Sequence, residues 1–253
     1  MFKLHGCVAL VTGSNRGLGK VFCEHLLQAG ASKIYAGARD PSKIVSSDAR
    51  IIAIKLDVTS AEEIASAVQN CQDLMLLVNN AGIARNSPMI HPDAEDAARD
   101  EMNTNYFGTL AMVQRFAPIL AKNGGGAILN VLSTSSWITN PFLATYSASK
   151  MAAAALTDAI RIQLRSQGTR VVGVYAGFID TDMAAHFNRP KTSPHQIVER
   201  SLAGLESGID RVLADDRAVE VDARLRVSRA EFDAELQQLW DTGTTSTADY
   251  APA

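Results

Sequence analysis

Tyr146 and Lys150 stand four residues apart in a stretch, Tyr146–Gln167, whose pattern predicts a helix. Their side chains therefore share a face. A phenol ordinarily titrates near ~10 and is a poor acid or base at neutral pH. An ammonium beside it stabilises the phenolate and brings that value down. The pair can pass a proton to or from an oxygen if other residues bring that oxygen to it. A surface Tyr–Lys pair has the same spacing, so the weight falls on what accompanies it.

What accompanies it first is a glycine-rich loop. Thr12-Gly13-Ser14-Asn15-Arg16-Gly17-Leu18-Gly19 joins a predicted strand, Val8–Thr12, to a predicted helix, Gly17–Ala29. Three glycines let a backbone turn sharply and approach a pyrophosphate at a helix N-terminus, where free N–H groups and the dipole favour negative charge. The spacing G-x-x-x-G-x-G is neither the G-x-G-x-x-G fingerprint nor the phosphate loop ending in G-K-[ST]. Its place in the first strand–helix unit favours a dinucleotide over a plain tight turn.

The elements that must position these residues follow from hydrophobic patterning. Short, nearly continuous apolar runs read as strands covered on both faces: Val8–Thr12, Lys33–Ala38, Ile51–Leu56, Leu74–Asn79, Ala127–Leu132 and Val171–Ala176. Helix candidates alternate with them: Gly17–Ala29, Ser60–Cys71, roughly Asp93–Ala121, and Tyr146–Gln167. Ser60 with Glu63 reads as a capping box, and Gly30 and Gly168 read as helix stops. Strict alternation implies right-handed βαβ units, and hence a single doubly wound Rossmann-type α/β domain: one parallel sheet with helices on both faces, over residues 1–241. Asp180–Pro194 reads as a long loop, with His195–Ser207 and Ser228–Trp240 helical and Arg211–Ala214 a short strand. Residues 180–207 are the expected substrate loop and helix, and residues 242–253 a frayed, disordered tail.

Composition excludes other classes. The 253 residues carry 24 Lys+Arg against 27 Asp+Glu, a net charge of −3, which argues against a nucleic-acid or anionic-membrane partner. Apolar runs are strand-sized, short of the ~20 residues that span a bilayer. The segment Met1–Gly6 lacks a signal-peptide pattern, so a cytoplasmic location is expected. Cys7, Cys23 and Cys71 form no CxxC or metal-ligand spacing and read as reduced thiols. His5, His25, His91, His186 and His195 form no metal-like cluster, and no G-x-S-x-G elbow is present. No metal is expected.

Taken in order, Thr12-Gly13-x-x-x-Gly17-x-Gly19, Asn79-Asn80-Ala81-Gly82, Asn105, Ser133 and Tyr146-Ser147-Ala148-Ser149-Lys150 resemble the short-chain dehydrogenase/reductase family from about Cys7 to Met183. The resemblance implies a catalytic set of Asn105, Ser133, Tyr146 and Lys150. Tyr146 would give a proton to a carbonyl oxygen as hydride reaches the carbon, its phenol tuned by Lys150 and an oxidised nicotinamide. Ser133 would hold the substrate oxygen, with Ser135 and Ser136 as neighbours in competition for that role. Asn105 would bind a water beside Lys150, the Asn-x-x-Gly spacing selecting it over Asn103.

For the cofactor the resemblance implies Gly13, Ser14, Asn15, Arg16, Gly17, Leu18, Gly19, Arg39, Asp57, Val58, Asn80, Ala81, Gly82, Tyr146, Lys150, Gly177, Ile179 and Thr181. The second strand ends at Ala38 rather than at a carboxylate, and Arg39 follows. That favours NADP(H), with Arg39 and Arg16 converging on the 2′-phosphate. An Arg39–Asp40 pair with a solvated Arg16 is the competing view. Ile83, Ser135, Trp137, Leu143, Phe178, Met183 and Phe187 are the expected substrate pocket, fit for a moderately apolar ketone or aldehyde. The loop Asp180–Pro194 would close over it as a lid. Departures are Ala176-Gly177 in place of Pro-Gly, and Arg211–Asp216 with a charged helix where a Thr-Gly strand and Asp-Gly-Gly are usual. A homo-oligomer is expected, a dimer ahead of a tetramer. The rival function, a dinucleotide-binding regulator without turnover, is disfavoured by the presence of both Tyr146 and Lys150.

Overall fold

The computed structural model describes residues 2–242. β1 (Val8–Thr12) runs through α1 (Gly17–Gln28) to β2 (Lys33–Ala38) and β3 (Ile51–Lys55). α2 (Ala61–Asn70), β4 (Leu76–Asn79), α3 (Ala94–Glu101), α4 (Thr109–Lys122), β5 (Ala127–Val131), α5 (Ala144–Gln163) and β6 (Arg170–Tyr175) follow. α6 (Pro194–Ser207), β7 (Arg211–Leu213), α7 (Asp216–Val227) and α8 (Arg229–Thr242) complete the described chain. The strands form one seven-stranded parallel sheet in the order β3-β2-β1-β4-β5-β6-β7. It is the doubly wound α/β architecture that the alternation implies. The order reverses between β1 and β4, and a crevice opens at such a switch point beyond the strands' carboxyl ends.

Alternation along each strand divides the core in two. Ala9 and Val11 of β1 face one layer, where Phe22 and Leu26 of α1 meet Ile197, Val198 and Leu205 of α6. Val8 and Leu10 face the other, with Ile64 of α2, Met112 and Phe116 of α4 and Ile160 of α5. Phe22 and Phe116 are fully buried. Truncating such a ring to Ala costs about 3–5 kcal/mol, so each is a large share of a domain's net stability. The three cysteines are all buried, Cys7 and Cys23 in one layer and Cys71 in the other.

Three expectations need correction. β3, an edge strand, is only partly covered: Ile51 and Ile54 pack against the two core layers, while Ile52 is exposed. Ser60 accepts from the Glu63 N–H, but the Glu63 carboxylate accepts from Asp57 N–H at 2.7 Å, so only half of the capping box forms. The long helix near Asp93–Ala121 is not continuous. A widened π-helical turn, Met102–Gly108, separates α3 from α4 and contains Asn105; such turns carry an extra residue and mark functional sites in many helices. The frayed tail, apart from Thr242, lies outside the described residues.

Candidate active site

A cleft of about 1250 Å³ opens along the carboxyl ends of the strands. Its floor begins at the glycine loop. Gly13 has φ +66°, a left-handed conformation natural only to glycine. A Cβ on Gly19 would collide with the Gly13 carbonyl oxygen, so α1 can start this close to the turn only without a side chain there. Gly13, Asn15, Arg16, Gly17 and Leu18 face the cleft. Ser14 and Gly19 do not: Ser14 is buried and donates its Oγ hydrogen to Gly37 O at 3.0 Å, supporting the loop from behind.

β4 is laced to this loop. Asn80 Nδ2 donates to Thr12 O (2.9 Å) and Gly13 O (3.2 Å), while Thr12 Oγ1 accepts from Asn80 N–H (3.0 Å) and Ala81 N–H (2.9 Å). Asn79 Nδ2 donates to Asn130 Oδ1 at 2.8 Å, and Asn130 Nδ2 donates to Thr157 Oγ1 at 2.9 Å, continuing the lacing to β5 and α5. Asn80, Ala81, Gly82 and Ile83 then line the cleft beside Asp57 and Val58.

At the end of β2, Ala38 and Arg39 face the same cleft. Asp40 does not engage Arg39. It accepts from Ser42 N–H (3.2 Å) and Ser42 Oγ (2.6 Å) and lies 3.7 Å from Lys43. Among the described residues Arg39 makes no ion pair, so its guanidinium is open to an anion. Arg16 differs from expectation: it pairs with Asp182 at 3.0 Å, tying the glycine loop to the segment after β6. Lys43, which the sequence did not single out, also lines the cleft and lies 3.7 Å from Asp40.

The reacting groups sit at the other end. Tyr146 is half-buried in the first turn of α5 and lines the cleft together with Ser133, whose hydroxyl favours the ionised phenol. Ser133 accepts from Ser135 N–H at 3.1 Å, and Ser136 Oγ lies 3.4 Å from Ser133 N–H. The three serines form one turn, and Ser133 and Ser135 line the cleft with Tyr146. Lys150 is 6% exposed, its Nζ 5.7 Å from the Tyr146 ring centroid and donating to Val131 O at 3.0 Å. Burial pushes the Lys150 ammonium down to about 8. Burial pushes the Tyr146 phenol up to about 12, opposed by the Ser133 hydrogen bond and reinforced by the Glu101 charge. This reverses the expected direction. Desolvation of the ring outweighs an ammonium that is turned to a backbone carbonyl.

Asn105 lies in the π-helical turn, beside α5. Its side chain is 2% exposed and does not line the cleft. Oδ1 accepts from Ile83 N–H, and Nδ2 donates to Ile83 O and to Ser149 Oγ, all at 2.9 Å. These bonds tie the strap after β4 to α5. Of the expected pocket, Ile83, Ser135, Leu143, Phe178, Met183 and Phe187 line the cleft; Trp137 does not. Its indole stacks on Tyr175 at 4.2 Å between centroids, and Ile138 takes the lining position beside it. The loop Asp180–Pro194 is pinned at its base by a bridge from Ile179 to Thr192. Gly177, Ile179 and Thr181 stand at the cleft edge.

The family model for short chain dehydrogenases matches residues 7–192, the segment that carries all of these groups. The chain belongs to the short chain dehydrogenase family. It is similar to a short chain dehydrogenase from Burkholderia cenocepacia J2315, solved in complex with NADP: 40% identity, TM-score 0.90, covering 93% of this chain and 99% of that one. A 3-oxoacyl-(acyl-carrier-protein) reductase of Synechocystis sp. is 30% identical over 74% of this chain and 80% of its own length. One from Staphylococcus aureus is 31% identical over 69% and 75%.

Three features of this short chain dehydrogenase escaped the sequence reading. Asp215, 1% exposed, accepts from Ala218 N–H and from Gly177 N–H, each at 2.7 Å. An Asp before a helical run signals an N-cap, but its reach to Gly177 has no local signature. Glu101 is fully buried and accepts from Arg85 N–H (2.6 Å) and Asn86 N–H (3.3 Å), fixing the strap after β4; burial raises its carboxyl. Finally, Phe232, Glu235, Leu236 and Leu239 of α8 line the cleft.

Proposed function

We propose that this short chain dehydrogenase is an NADP(H)-dependent oxidoreductase that reduces a moderately apolar ketone or aldehyde, and runs in reverse as an alcohol dehydrogenase. The observation that carries the reading is that Ser133, Tyr146 and Lys150 line one end of a cleft whose other end is the glycine loop. The cleft suits a dinucleotide. Side chains on Gly13 or Gly19 would fill the loop, and Arg39 has no carboxylate to satisfy it. When bound, NADPH supplies the hydride. Gly13, Asn15, Gly17, Leu18, Asp57, Val58, Asn80, Ala81, Gly82, Gly177, Ile179 and Thr181 would hold it, with Arg39 and Lys43 on the 2′-phosphate.

Ser133 and Tyr146 then hold the substrate oxygen between two hydroxyls. A phenol that burial keeps fully protonated at neutral pH is a competent donor to that oxygen as negative charge develops on it. Lys150, cationic below about 8, stabilises the phenolate left behind. Ile83, Leu143, Phe178 and Phe187 surround the carbonyl's substituents and exclude water. The loop 180–194 is the element that closes over them.

The test is a panel of ketones and aldehydes followed by NADPH consumption, with NADH in parallel. The expected result is turnover of apolar carbonyls with NADPH preferred by tenfold or more in kcat/KM, about the value of one charge-assisted contact. Equal use of NADH, or a preference for a multiply charged substrate such as a sugar phosphate, would contradict it.

A further inference from the structure

The far wall of the cleft is built by α8, beyond the segment on which the family likeness of residues 7–192 rests. Phe232, Leu236 and Leu239 are spaced i, i+4, i+7, so they form one stripe about 10 Å long on the helix. The stripe is fastened at both ends. Phe232 is 2% exposed, packed with Ile138 and Val221, and Arg224 lies over its ring at 4.0 Å. At the other end Trp240 meets Phe142, with ring centroids 5.0 Å apart. Leu236 and Leu239 lie between these anchors. They are only partly covered, and they look into the same cavity as Leu143, Phe178 and Tyr146.

The charges on this wall are matched. Glu235 pairs with Arg224, and Arg217 pairs with Glu220 at 2.8 Å. An ionic ligand seated against α7 and α8 would have to break one of these pairs, whereas an apolar one need only cover leucine. Three of the four α8 residues that line the cleft are apolar, and partly exposed leucines gain by burial.

We infer that Leu236 and Leu239 form a subsite for an extended hydrocarbon substituent of the carbonyl substrate, running from Tyr146 past Leu143 to α8. The inference rests on the reductase reading for its catalytic arm and on binding alone for its second arm. The occupant is the substrate's own chain, since the cavity is continuous with the reacting groups. Selectivity for chain length is then set by the C-terminal helix, not by the catalytic residues.

The experiment compares butan-2-one with decan-2-one. In the wild type, kcat/KM with NADPH should favour decan-2-one by about tenfold or more, a modest share of what six buried methylenes can supply. In the double variant Leu236→Ser/Leu239→Ser that ratio should fall at least fivefold, and Leu236→Met/Leu239→Met should restore it. An unchanged ratio with the helical circular-dichroism signal intact overturns the subsite. If the double serine variant loses helix, Leu239→Trp serves instead. It adds apolar bulk, should shorten the preferred chain, and overturns the subsite if the ratio does not move. The second arm titrates decan-2-one into protein with NADP⁺ and reads the fluorescence of Trp137 and Trp240. Binding that the serines weaken at least fivefold, with no turnover of either ketone, upholds the subsite and sinks the reductase reading. Turnover without chain-length preference does the opposite. No binding in the wild type overturns the subsite.

Discussion

Asp215 and Gly177 are joined across two elements: one carboxylate oxygen takes the Gly177 N–H at 2.7 Å while the other caps α7 through Ala218 N–H. Gly177 opens the segment that carries Phe178, Ile179 and Thr181 along the cleft, and a Cβ there would strike Arg217. The short strand β7 ends two residues before Asp215, so the edge of the sheet, the N-terminus of α7 and the cleft are held by one side chain.

Asp215→Ala should therefore lose both an N-cap and the partner of a backbone donor. The two together cost about 2–4 kcal/mol. Urea unfolding reads the loss directly, and KM for the cofactor should rise with it. Asp215→Asn can accept only one of the two bonds and should fall between Ala and the wild type.

Arg39→Ala should weaken NADPH binding ten- to a hundredfold and leave NADH binding within about twofold, as read by isothermal titration. The basis is a guanidinium in the cleft with no carboxylate partner, beside a strand end, Ala38, that offers no acceptor to a ribose hydroxyl. Arg16→Ala should have a smaller effect, because Arg16 is already paired with Asp182.

Lys150 predicts a dependence of stability on pH. Its folded value of about 8 lies below its ordinary 10.5 because of burial. Below pH 8 both states carry the proton, and the fold bears the full cost of a buried charge. Between pH 8 and 10.5 the unfolded chain keeps a proton that the folded one has lost, so stability rises with pH. The shift corresponds to about 3 kcal/mol. Lys150→Met should be more stable than the wild type at pH 7 by about 1–3 kcal/mol, after the loss of its bond to Val131 O. The gain should vanish by pH 10.5, and the variant should be inactive. Denaturant unfolding at both pH values measures it. In the wild type, kcat/KM for reduction should fall above pH 8.

The strands and the cleft edge were legible because they rest on local signals: apolar runs, a glycine loop between strand and helix, and strand ends that place Gly13, Asp57, Asn80, Ser133 and Gly177 on one side. Long-range partners were not legible. Nothing near Arg16 announces Asp182, and nothing near Trp137 announces that it stacks on Tyr175 instead of lining the cleft. Asn105 falls inside the stretch read as one long helix, where asparagine is a weak helix former. The π-turn resolves that conflict by giving its amide Ile83 and Ser149 as partners. The direction of the Tyr146 shift was misread for a related reason: spacing gives the ammonium's neighbourhood, but neither the depth of burial nor the carbonyl that draws Nζ aside.

The central claim is that Tyr146 gives the proton. Tyr146→Phe keeps the ring and its packing and removes the phenol hydroxyl that lines the cleft with Ser133. With the best ketone and saturating NADPH, kcat should drop about 10²–10⁴-fold, the usual worth of a positioned acid. NADPH affinity by isothermal titration should stay within twofold. Wild-type turnover in Tyr146→Phe, with the cofactor bound as before, would contradict the account.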